Sequence, residues 1–184
     1  DTRWHPDGSW GLLFACKVAF YLDPLTRETG CLRIIPGSHK PPLHEDMEPM
    51  RHLRQMQADS ADYGGKTRSE EEVTHARSVD QLSTTPFGVP SSEIPGFAIE
   101  SEPGDAVFFN QRLWHSSFGG RTGRRMFTLN YGQKPTTDDH IAMVKMVYEG
   151  SLKAAQSMQH TWTDQLYTDS FLNSDRPRIK SMMA

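Results

Sequence analysis

Two short segments, more than a hundred residues apart, carry the residue types that could do chemistry. Trp4-His5-Pro6-Asp7 stands near the start, and Trp114-His115-Ser116-Ser117 stands far downstream, with Arg125 ten residues after His115. Two imidazoles and one carboxylate suit one face of a non-haem iron ion and leave the opposite face open. A following arginine adds a planar fork on which a carboxylate docks. A His-x-Asp pair, a distant His and an Arg are thus what such a site needs when it also holds a dicarboxylate.

The strand period sharpens this reading. Side chains at i and i+2 share a strand face, so His5 and Asp7 are expected to point the same way and chelate one ion. His115 supplies the third ligand from another strand. Ser117 shares its face and is placed to donate a hydrogen bond to a bound ligand. Arg125, Phe127 and Leu129 share one face of the last strand, and Met126, Thr128 and Asn130 the other. The first set is the more apolar, so Arg125 is expected to point inward, where a ligand carboxylate would offset the cost of burying it. Lys17 interrupts an apolar run with Ala19 and Tyr21 on its face, so it too is expected in the cavity, assisting a cosubstrate or substrate carboxylate.

Each residue also has a plainer reading. A lone His-x-Asp is most often a turn feature, His115 could be a hydrogen-bonded core histidine, and Arg125 could pair with a structural acid. The same three ligands could hold zinc or manganese in a hydrolase or isomerase, or survive in a catalytically silent binding module. Their joint order on strand-like segments favours iron. The remaining histidines, His39, His44, His52, His75, His140 and His160, lack such spacing and are read as surface groups. Trp10 and Trp114 either line the pocket or fill the core.

Three zones must position these residues. Residues 1–36 read as strands: Trp10 to Leu22 ends at Asp23-Pro24, Thr29-Gly30 marks a turn, and Cys31 to Ile35 stops at Pro36-Gly37. Residues 38–95 form a long insert or lid, with a helix expected over Glu45 to Gln57 on the spacing of Met47, Met50, Leu53 and Met56. Residues 96–133 return to strands at Gly96–Ser101, Ala106–Asn110, Leu113–Ser117 and Arg125–Gln133, with a turn at Pro103-Gly104-Asp105. The tail, 137–184, reads as mainly helical. Short strands with Gly/Pro turns suggest a sandwich or jelly roll.

The 184 residues suffice for one domain with a sizeable core. A formal net charge of -3, from 20 basic and 23 acidic side chains, provides no footprint for nucleic acid and no polybasic membrane patch. The apolar stretch from Leu12 to Leu22 is too short to span a bilayer and is broken by Lys17. Two cysteines, Cys16 and Cys31, do not make a disulfide framework, which favours a reducing, cytoplasmic setting. The chain begins with Asp, so a processed or partial chain is expected.

The sequence resembles the phytanoyl-CoA dioxygenase family of iron(II)/2-oxoglutarate oxygenases. Five stretches carry the resemblance: Trp4-His5-Pro6-Asp7, the run Thr29-Gly30-Cys31-Leu32-Arg33-Ile34-Ile35-Pro36-Gly37-Ser38-His39-Lys40, Pro103-Gly104-Asp105-Ala106-Val107-Phe108-Phe109, Trp114-His115-Ser116-Ser117 and Gly123-Arg124-Arg125. Together they cover roughly residues 4–40 and 96–132. The resemblance implies a mainly β, double-stranded β-helix (a cupin-like jelly roll) with iron(II) on His5, Asp7 and His115. It implies 2-oxoglutarate as cosubstrate, Arg125 on its distal carboxylate and Ser117 nearby, with a small-molecule substrate and dioxygen as partners. The family fold has N-terminal elements before His-x-Asp that this chain is expected to lack. Pro6 stands where some relatives place a polar contact to 2-oxoglutarate. Gly119-Gly120 replaces an Asn of many relatives and is expected to loosen the loop. Asp7 argues against the halogenating branch, in which a small residue takes that place.

Overall fold

The computed structural model describes residues 2–8, 13–50, 87–120, 123–157 and 167–183. Trp10, His52, His75 and His160, and with them most of the 38–95 insert, lie outside the described residues. The chain divides into two compact units, residues 1–61 with 67–132, and residues 62–66 with 133–184.

The first unit is built from antiparallel strands. They are β1 (Thr2–His5), β2 (Ala15–Tyr21), β3 (Leu32–Ile34), β4 (Phe97–Ile99), β5 (Ala106–Asn110), β6 (His115–Ser117) and β7 (Met126–Gly132). One sheet runs β1-β6-β3-β4 and the other β5-β2-β7. The turns are made where Gly and Asp permit them. Gly30 sits at φ 93° after a turn in which the Cys31 N–H donates to the Thr26 carbonyl at 3.0 Å. At the β4–β5 corner Gly104 takes φ 100°, and the Asp105 carboxylate accepts the Glu102 N–H at 2.8 Å. The observed strands fall within the segments read from the sequence, and the fold is mainly antiparallel β with few helices.

The two sheets use their faces differently. In the first, Trp4 and Trp114 point away from the histidines that follow them and are fully buried. They pack with Met47, Met50, Ile94 and Phe118, which covers that side of β1 and β6. Met47 and Met50 follow α1 (Leu43–Asp46), which overlaps the start of the helix expected over Glu45 to Gln57; residues 51–57 of that span lie outside the described residues. In the second sheet, Ala19 and Tyr21 pack with Leu25 and Cys31, while Phe109 packs with Leu32 and Leu113. The opposite face carries exposed aromatics, including Phe108, Phe127 and Tyr131.

The second unit holds α2 (Asp138–Ser157), α3 (Asp169–Leu172) and α4 (Pro177–Met183), matching the expected helical tail. Thr137 Oγ1 accepts the His140 N–H at 3.2 Å, capping the first turn of α2, and Asp138 and Asp139 complement the positive end of its dipole. Among the described residues, no helix is long and apolar enough to cross a membrane.

Candidate metal centre

Antiparallel pairing of β1 and β6 places His5 directly opposite His115, with ring centroids 4.4 Å apart. Both rings are buried, and each is oriented by its own backbone. His5 Nδ1 donates to the Arg3 carbonyl at 2.7 Å, and His115 Nδ1 donates to the Leu113 carbonyl at 2.8 Å. A carbonyl only accepts, so Nδ1 carries the proton and Nε2 carries the lone pair of each neutral ring. Both Nε2 atoms face Asp7, at 3.8 Å from Oδ1 for His5 and 3.6 Å from Oδ2 for His115. Ligand atoms of His5, Asp7 and His115 all lie within 4.8 Å of one another, the only such group among the described residues. Two imidazole nitrogens with fixed tautomers and one carboxylate, converging on one point, are a donor set that fits a divalent metal.

Asp7 reaches this point by a different route from the one the strand period suggests. β1 ends at His5, and Asp7 lies in the bend beyond it. Its N–H donates to the Gln111 carbonyl at 2.9 Å, which ties the bend to the turn before β6. The residue identity follows from the sequence, but its position rests on a tertiary hydrogen bond.

His5, Asp7, Lys17, Phe109, His115, Ser117 and Arg124 are among the residues around one pocket of about 170 Å³. Tyr21, Leu32, Met126 and Thr128 complete much of its wall. Lys17 is in the cavity as expected, with Nζ 2.7 Å from Asp7 Oδ2. Ser117 Oγ donates to the Gly30 carbonyl at 2.8 Å and accepts from Arg124 Nη1 at 3.2 Å. Arg124 also donates to the Gly30 carbonyl. Burial pushes the Tyr21 phenol above its ordinary range, with the nearby Arg124 charge pulling the other way.

The expected inward orientation of Arg125 is corrected. Its guanidinium is 69% exposed and donates to Asp23 Oδ1 at 2.7 Å from Nη2 and 3.2 Å from Nε. Its backbone N–H donates to Asp23 Oδ2 at 2.7 Å. This pairing raises the Arg125 pKa above its usual value, first through the hydrogen bond and then through the charge. The cause is register: Tyr21 pairs with Met126 and Ala19 with Thr128, so the inward face of β2 continues into Arg124, Met126 and Thr128. The apolar face of Phe127 and Leu129 is outside. Apolarity misled because a face lining a ligand cavity is the polar one. Arg124 was missed for that reason, and Thr128 and Asn130 at alternate positions of its face were the available signal.

Of its two readings, Trp114 takes that of a core residue, donating from Nε1 to the His44 carbonyl at 3.3 Å. His44 is buried rather than superficial, with Nδ1 donating to the Ser38 carbonyl at 2.9 Å. Ser38 Oγ accepts the Trp114 N–H at 2.9 Å, so the Pro-Gly-Ser-His turn clamps the residue next to His115. Gly119 and Gly120 both lie close to the turn at residues 28–30. A Cβ on Gly119 would lie 2.2 Å from the Glu28 carbonyl oxygen, and one on Gly30 would lie 2.7 Å from Gly120 Cα. Cys16 and Cys31 are buried and form no disulfide, and burial raises both thiols above their usual range.

No curated protein matches this sequence. Among solved structures, the crystal structure of EvdMO1 is similar over 73% of this chain, at 21% identity and a TM-score of 0.42. That match spans 23% of the EvdMO1 chain. The family model for phytanoyl-CoA dioxygenase matches residues 1–127, a span that contains both histidines, the aspartate and Arg124 of the pocket. On that match over more than half its length, the chain belongs to the phytanoyl-CoA dioxygenase family.

Proposed function

We propose that this protein is an iron(II)- and 2-oxoglutarate-dependent dioxygenase that hydroxylates a small organic metabolite, on a core of the double-stranded β-helix type. The observation that carries the reading is the convergence of His5 Nε2, Asp7 and His115 Nε2 in a pocket that also contains a guanidinium. Family membership points to oxygenase chemistry. Bound together, ferrous iron and 2-oxoglutarate supply the activation of dioxygen, with 2-oxoglutarate leaving as succinate and carbon dioxide.

The chain's own residues perform the remaining tasks. His5 and His115 present Nε2 because their Nδ1 atoms are committed to backbone carbonyls. Asp7 supplies the carboxylate and neutralises part of the metal charge. Arg124, in place of Arg125, takes the distal carboxylate of the cosubstrate, with Ser117 beside it. Arg124 fits this role because its present partners are neutral oxygens, the Gly30 carbonyl and the Ser117 hydroxyl. An anion would complete the pairing of an inward guanidinium. Leu32, Phe109 and Met126 supply apolar wall that keeps water from the reacting centre. Two buried thiols without a disulfide suit a cytoplasmic protein, and the charge balance provides no basis for a nucleic-acid partner.

The test is anaerobic reconstitution with iron(II), followed by succinate production from 2-oxoglutarate in air, comparing the wild-type protein with Asp7→Ala. Iron-dependent succinate that disappears in the variant is the expected result. Equal succinate from both proteins, or none from an iron-loaded wild type across a panel of small metabolites, would overturn the reading.

A further inference from the structure

The pocket contains two cationic side chains, and they are not partnered alike. Arg124 is held by neutral oxygens, whereas Lys17 is held by Asp7, the carboxylate assigned above to a divalent cation. Lys17 Nζ lies 2.7 Å from Asp7 Oδ2, and the same oxygen is 3.6 Å from His115 Nε2. An ammonium and a metal dication would therefore draw on one carboxylate and repel each other across a short, partly desolvated distance. Both partners are largely enclosed, with 20% of the Lys17 side chain and 17% of the Asp7 side chain exposed. An ammonium in such a place needs an anion at all times. Lysine is a compact charge on a flexible four-carbon stem, so it changes partner without moving the strand that carries it.

We propose that Lys17 is an exchange residue: it holds Asp7 in the metal-free protein and, when Asp7 takes a divalent cation, turns its ammonium onto an anionic group of the ligand in the same pocket. The inference rests on the metal-site reading above and adds to it a coupling between metal occupancy and anion binding. Its position supports this. Lys17 shares the inward face of β2 with Ala19 and Tyr21, and all three line the pocket with Arg124, Met126 and Thr128. Tyr21 and Met126 pair at the Arg124 end, and Lys17 stands two pairs further along, beside Asp7. The cavity is thus bracketed by two cations, a pattern suited to a ligand with an anionic group at each end.

The coupling has a signature that a merely structural lysine lacks, because its two effects have opposite signs. Removing the ammonium should tighten metal binding about tenfold, by removing a competing and repelling charge. It should weaken binding of a dicarboxylate to the metal-loaded protein, also about tenfold, by removing a charge-assisted contact. A lysine that only supports the fold would, when replaced, weaken both.

The experiment uses the full chain. Manganese(II) uptake is followed by the paramagnetic resonance of the free ion, and 2-oxoglutarate binding to the manganese-loaded protein by calorimetry. Wild type, Lys17→Met and Lys17→Gln are compared, with thermal unfolding of each as the check on folding. Tighter manganese together with weaker 2-oxoglutarate in either folded variant supports the exchange. Unchanged or weaker manganese binding overturns it. A readout on the wild-type protein needs no variant: reaction of Lys17 with an amine-selective reagent, measured by peptide mass spectrometry, should rise several-fold on adding manganese alone. Unchanged labelling overturns the exchange. A wild type that takes up no manganese overturns the exchange, whereas the oxygenase reading fails separately, on the iron-dependent succinate assay.

Discussion

The two sheets of the first unit solve opposite problems. β1 and β6 carry His5 and His115, the candidate metal ligands, on one face and two fully buried tryptophans on the other. β2 and β7 carry Lys17, Tyr21, Met126 and Thr128 toward the pocket, yet leave Phe127 about half exposed on the far side. The first sheet is therefore anchored from behind, as a metal site requires: ligands must be held within a fraction of an ångström, and packing behind them supplies that rigidity. Among the described residues the outer face of the second sheet is exposed at Phe108, Phe127 and Tyr131, and its inward Lys17 is held by Asp7 rather than by a core. The difference teaches that polarity alone does not indicate which side of a strand faces in when the interior is a binding cavity.

Four substitutions would break or sharpen this contrast. The largest effect is expected for Trp114→Ala, which empties the packing behind His115 and should cost about 3–5 kcal/mol of stability, read by denaturant unfolding. A small cost would show that the first sheet is not anchored as described. Next, Arg124→Ala should weaken 2-oxoglutarate binding to the metal-loaded protein by about 30-fold or more, as expected when one partner of a buried charged contact is removed. Arg125→Ala should leave that affinity nearly unchanged, because its guanidinium is exposed and spent on Asp23. Calorimetry on the pair decides, and a larger loss in the Arg125 variant would reverse the assignment. The smallest effect is expected for Phe108→Ser on the outer face of the second sheet, within about 0.5 kcal/mol. A loss comparable to that of Trp114→Ala would mean that this face is not the solvent side.

Much of the site was legible because metal chemistry restricts residue types severely. His5, Asp7 and His115 were identifiable from type and order, and Lys17 from its place in an apolar run. The strands were legible where Gly and Pro punctuate them, as at Gly30 and Gly104, whose positive φ angles other residues rarely adopt. The spacing of Met47 and Met50 reported their burial against Trp4 and Trp114, while residues 51–57 of the helix expected over Glu45 to Gln57 lie outside the described residues. His44 looked like a surface group because nothing local marks it, and its burial depends on Ser38 and Trp114.

By itself, the sequence determined which residues are chemically able to hold a divalent cation, which segments extend as strands and where the chain turns. These are local properties, set by side-chain donors and by backbone preferences. The tertiary structure alone decided which arginine faces the pocket, what holds Asp7 in place and what Lys17 touches. Each of these depends on the register of one strand against another, and a shift of one residue moves every side chain to the opposite face. The pairing of Tyr21 with Met126, and the hydrogen bond from Asp7 to Gln111, are contacts between distant segments that no local pattern encodes.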